Sequence, residues 1–102
     1  MLTMKTDVWT CERIFWELLP SIRRYVAVKL RKRGKSLPEI GRILGVTKSA
    51  VSQYLSGKRG GELEPWMRKI VDRWIERGCV DIMKVLAEIT SDPRFRKGWE
   101  CG

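Results

Sequence analysis

Apolar residues recur at intervals of three and four along most of the chain, in stretches divided by glycine and proline. The first stretch sets Ile14, Phe15, Leu18, Leu19, Ile22, Val26 and Leu30 on one side, together with the stem of Lys29, which is a helical stripe running toward Arg33. Thr10 is placed to cap a helix starting at Cys11, although Arg13 stands where a capping box needs an acid. Pro20 interrupts the stripe. Either the helix kinks there, or one helix ends near Leu19 and the next carries Pro20 in its first turn. Gly34 closes the stretch, and the Lys and Arg of its last turn suit the negative end of the helix dipole.

Ser36-Leu37-Pro38-Glu39 reads as a capping box with proline in the first turn. Ile40, Ile43 and Leu44 give that helix its inward face, and Gly45 stops it. Thr47 caps the next helix, with Ala50, Val51, Tyr54 and Leu55 inward and Gly57 at its end. Pro65 opens a fourth helix bearing Trp66, Met67, Ile70, Val71, Trp74 and Ile75, and Gly78 ends it. A fifth runs from about Val80 to Ile89. Its stripe is either Val80, Met83, Leu86 and Ala87, or Ile82 and Leu86. Ser91-Asp92-Pro93 breaks it, leaving residues 94–102 as a helical turn or tail. No alternation is long enough to build a sheet, so the prediction is an all-α bundle of about five helices. Residues 1–10 form an arm, 11–61 the core, and 62–102 C-terminal helices that pack on that core and dimerise.

The segment LPEIGRILGVTKSAVSQYLSG carries the most specific spacing. Two short helices lock at a steep angle when a few residues stand at fixed intervals. Gly41 lets the second helix approach, Gly45 supplies the turn conformation, and Val46 plugs the gap. Ile40, Leu44, Val51 and Tyr54 complete the core. The bland alternative is two amphipathic helices in a bundle joined by a glycine turn.

Charge sharpens this picture. Residues 20–60 hold eleven Lys or Arg against one acid, Glu39, so the formal net charge of +9 is +10 there and −1 elsewhere. A helix-turn-helix inside such a block points to double-stranded DNA. The helix Lys48–Ser56 would then enter the major groove with Lys48, Ser49, Ser52 and Gln53 as base readers. Gln53 suits adenine and Ser52 serves either role. Thr47 can bond phosphate beside the helix N-terminus. Arg42, Lys58 and Arg59 flank the reader, and Arg31, Lys32, Arg33 and Lys35 lead into the motif, all as phosphate contacts. Simple capping and a solvated polar face are the alternative for each of these residues.

Other chemistries find little support. No uncharged apolar run approaches the roughly 20 residues that span a bilayer, and MLTMKTDVWTCE has no long apolar stretch after its lysine, so the expectation is a cytoplasmic protein that does not act on membranes. Histidine is absent and no carboxylate pair marks a cleft, which argues against an enzyme. Three widely spaced cysteines, Cys11, Cys79 and Cys101, do not make a disulfide framework.

The stretches CERIFWELLPSIRRYVAVKL and LPEIGRILGVTKSAVSQYLSGKRG resemble a small archaeal family of transcriptional regulators with a lambda-repressor-like (XRE-class) helix-turn-helix. The likeness covers about residues 11–60. It implies a lambda-repressor-like bundle and a dimeric regulator that presents Thr47, Lys48, Ser49, Ser52 and Gln53 to the groove. Relatives carry a cysteine before the first helix and a C-x-x-C pair further on. Here Cys11 fits the first and Cys79 the start of the pair, but Ile82 stands at the companion position and Cys101 is too far along. No cofactor is therefore expected, and a cluster of Cys11, Cys79 and Cys101 is the alternative. By default Cys11 and Cys79 are partly buried small apolar residues, and Cys101 an exposed tail thiol.

A homodimer is expected because four outward side chains give little selectivity alone. The aromatic flanks, Phe15 and Trp16 at one end and Trp66, Trp74 and Trp99 at the other, are the candidate surface, against the alternative that they pack onto the motif internally. Two competing functions remain: a protein-interaction module, and an antitoxin-type repressor whose C-terminal helices hold a partner protein.

Overall fold

The computed structural model describes residues 14–98, and every regular element among them is helical. A π-helical turn, Ile14–Leu18, leads directly into α1 (Leu19–Lys32). There follow α2 (Leu37–Leu44), α3 (Lys48–Leu55), α4 (Pro65–Glu76), α5 (Ile82–Ser91) and a short α6 (Pro93–Gly98). The sixth helix extends the expected five. The Thr10 cap, Cys11, Arg13, the arm, Trp99 and Cys101 lie outside the described residues, as does the side chain of Phe15.

Pro20 combines both readings of the first stretch. It sits in the first turn of α1, while the chain before it stays helical with the wider turn of a π-helix. The ring has no N–H to give to the preceding turn. The next residue, Ser21, turns its hydroxyl back onto the helix and donates to the Glu17 carbonyl at 2.6 Å. At the other end, Gly34 N–H bonds Arg31 O and Lys35 N–H bonds Leu30 O, closing α1 as expected.

The capping box forms in full: Glu39 N–H donates to Ser36 Oγ at 3.2 Å, and Ser36 N–H to Glu39 Oε1 at 3.0 Å. Those bonds from Ser36, with Lys35 and Arg42 nearby, hold the Glu39 carboxyl below its usual range. On α2 the buried arc is Ile40, Gly41 and Leu44. Ile43 does not point inward as expected; it is 36% exposed. The reason is Gly41. A Cβ there would stand 2.8 Å from the Val46 carbonyl, so the α2–α3 turn closes onto the glycine side and rotates Ile43 to the flank.

On α5 the buried stripe is Ile82, Val85, Leu86 and Ile89, which settles the two readings in favour of Ile82 and Leu86. Met83 and Ala87 face outward. Asp81 starts this helix by accepting from Met83 N–H and Lys84 N–H. Buried side chains of α1–α5, together with Leu63 and Phe95, form one cluster. Its residues nearest the motif, Ile22, Val26, Ile40 and Val51, have no exposed surface. Each contributes on the order of 2 kcal/mol by burial. Tyr25 ties the C-terminal helices to α1, its hydroxyl donating to Asp72 at 2.9 Å, with Lys29 3.7 Å from the same carboxylate. Burial and that carboxylate raise the Tyr25 pKa.

Candidate nucleic-acid interface

Packing decides which face of α3 is free. Ala50, Val51 and Tyr54 are buried against α1 and α2, so Lys48, Ser49, Ser52 and Gln53 occupy the opposite side. The first three are exposed and Gln53 is half-buried. None of the four side chains bonds to another described residue, leaving their donors and acceptors available. Thr47 begins the helix as expected, its Oγ1 accepting from Ala50 N–H at 3.1 Å.

The turn before α3 is equally well determined. Gly45 adopts φ +71°, a conformation that costs a residue with a Cβ roughly 1 kcal/mol. Val46 N–H bonds Gly41 O at 2.9 Å, and its side chain packs half-buried on the core. α1, α2 and α3 thus form a helix-turn-helix whose second short helix turns a polar stripe to solvent.

After α3 the Gln53 carbonyl accepts three bonds, from Ser56 Oγ, Lys58 N–H and Arg59 N–H, at 3.1, 3.0 and 3.3 Å. The main chain of Gln53 therefore fixes the basic turn that its side chain stands beside. Arg59 lies over the Tyr54 ring, 6.0 Å from its centroid. The turn is anchored from below by Ser21, which no local pattern singles out. Ser21 Oγ accepts from Gly61 N–H at 2.9 Å. Gly60 sits so close to α1 that a Cβ would stand 2.6 Å from the Pro20 carbonyl and 2.9 Å from Arg24 Cβ. The adjacent glycines Gly60-Gly61 were the available signal.

The basic candidates fall into three places. Lys58 and Arg59 are exposed beside the end of α3, over the Pro20 end of α1. Arg31, Lys32, Arg33 and Lys35 are exposed at the other end of α1, about 16 Å away along its axis. There Arg31 Nη1 also donates to the Lys35 carbonyl at 2.9 Å. Arg42, in the last turn of α2, borders a groove shared with Arg23 and residues 79–83.

The remaining candidates separate similarly. Trp66 and Trp74 pack half-buried on the core. Trp74 Nε1 donates to Glu88 at 2.9 Å and Trp66 Nε1 to Glu64 at 3.1 Å, with Arg77 and Arg94 over their rings. Their surface is therefore largely spent within the chain, whereas Trp16 is 77% exposed. Cys79 is an exposed thiol, not the partly buried one expected. It lies in the short link between Gly78 and the Asp81 cap, where the backbone runs over the surface. Among the described residues no group of three metal-ligating side chains converges, and no helix is long and apolar enough to cross a membrane.

Residues 20–66 match the family model of a homeodomain-like domain, a span covering α1, α2, α3 and the start of α4. No curated protein and no solved structure matches the chain. The matched segment is the helix-turn-helix. Such domains suggest DNA binding, and the match covers α3, the turn before it and the basic loop after it.

Proposed function

We propose that the protein is a sequence-specific DNA-binding transcriptional regulator that works as a homodimer, with α3 seated in the major groove. The observation that carries this reading is the polar stripe of Lys48, Ser49, Ser52 and Gln53, left unpaired on the helix that follows the glycine turn, inside the segment of greatest positive charge. Ser52 and Gln53 read bases and Lys48 reaches guanine or phosphate. Thr47, Lys58 and Arg59 hold phosphates beside the reader, and Arg31, Arg33 and Lys35 supply a second phosphate contact at the far end of α1. Placement in the lambda-repressor-like class rests on the likeness of LLPSIRR and GVTKSAVSQYLSGKRG to that family.

Selection of duplexes from a random pool at about 150 mM salt tests the reading. The expected product is a palindromic consensus, lost when Ser52 and Gln53 are both replaced by alanine while general affinity for duplex persists. Binding without any consensus would make the protein a nonspecific DNA coat instead.

A further inference from the structure

Three large apolar side chains stand exposed among the described residues, and two of them, Ile43 and Met83, line the same groove. The groove has a volume of about 430 Å³ and runs between the last turn of α2 and the link into α5. One wall is cationic and aliphatic, formed by Arg42 and Ile43 with Arg23 behind them. The other carries Asp81 and Met83 with Val80. Arg42 makes no ion pair among the described residues, and Asp81 Oδ1 is occupied by the α5 cap while its second oxygen bonds to none of them. Arg23 Nε is buried with no hydrogen-bond partner, an unusual condition for a guanidinium nitrogen.

We infer that this groove pairs two copies of the chain about a two-fold axis. An isologous contact requires that a residue meeting another in the partner be met by it in return. The two walls satisfy that condition. Ile43 packs against the partner's Met83 and Met83 against the partner's Ile43, while Arg42 of each copy faces the partner's Asp81. Burial of this edge strengthens the charge pair relative to an exposed one and brings an acceptor toward Arg23. The inference deepens the DNA-binding reading by naming the surface on which its dimer rests, and it withdraws Arg42 from the phosphate contacts. The contact is small, so a dissociation constant in the micromolar range is expected.

Sedimentation equilibrium of the full chain over a concentration series tests this. The expected result is a reversible shift from the 11.9 kDa monomer toward twice that mass. It should be weakened tenfold or more by Met83→Glu, Ile43→Glu or Arg42→Glu and left unchanged by Trp16→Ala. Met83 is 53% exposed, so its replacement leaves folding intact, as circular dichroism would verify. Met83→Glu should also keep binding to a half-site duplex while losing its preference for the palindrome. A chain that remains monomeric into the millimolar range would overturn the inference, as would a dimer insensitive to both Met83→Glu and Ile43→Glu. A dimer that responds to these changes yet binds no duplex would uphold the pairing and refute the DNA-binding reading.

Discussion

Single residues set the geometry on which the interface depends, and their costs can be measured. Gly41→Val forces a side chain into the Val46 carbonyl at 2.8 Å, so the helix-turn-helix must open. A loss of about 2 kcal/mol is expected in urea unfolding, together with weaker DNA binding. Thr47→Ala removes the hydroxyl that accepts from Ala50 N–H and should cost about 1 kcal/mol in the same assay. Asp92 gives a pH signature. Its side-chain bonds to the Arg94 guanidinium, then the bond from Arg94 N–H, pull its pKa from 3.8 to about 2. A depressed folded value means that the contribution is complete above the unfolded pKa and is lost as pH falls through about 2. Asp92→Asn should therefore lower stability at neutral pH and change it least below about 2, flattening the acid-unfolding profile between 3.8 and about 2 when followed by circular dichroism.

Elements show how far sequence patterns reach. The capping box at Ser36, the Thr47 cap and the glycine stops were legible because each rests on bonds within five residues. Ile43 was misplaced, and Met83 was left between two alternative stripes, because the three-and-four spacing defines a face only to within a third of a turn. A glycine contact at Gly41 rotated one helix, and the four-residue stripe Ile82, Val85, Leu86 and Ile89 fixed the other. The anchoring of the basic loop was not legible, since the bond from Gly61 N–H to Ser21 Oγ spans forty residues. Its consequence can be tested. Ser21→Ala leaves Gly61 N–H without that acceptor and frees the loop that bears Lys58 and Arg59. Amide exchange at Gly61 should accelerate strongly, with a stability loss of about 1–3 kcal/mol. Replacing Lys58 and Arg59 themselves by alanine should lower the slope of log affinity against log salt by about 2.

At the scale of the whole molecule, the fold serves to hold one short helix with its apolar side down. α1 buries α2 and α3 on one flank and receives α4 and α5 on another, with Tyr25 and Lys29 meeting Asp72 across that second contact. Of the excess of cations in residues 20–60, Lys48 lies on the outward side of α3 and Lys58 and Arg59 stand exposed beside its end. Composition made the polyanion legible, but it could not separate the basic residues into the loop after α3, the far end of α1 and the groove at Arg42, because that separation follows from how α1 is threaded. The most direct test of the central claim is an amide chemical-shift titration of the labelled protein with a selected duplex. The largest perturbations are expected on residues 47–53 and 58–61, with the amides of α4 little changed. Perturbations concentrated on α4 and α5, with Lys48, Ser49, Ser52 and Gln53 unmoved, would contradict that claim.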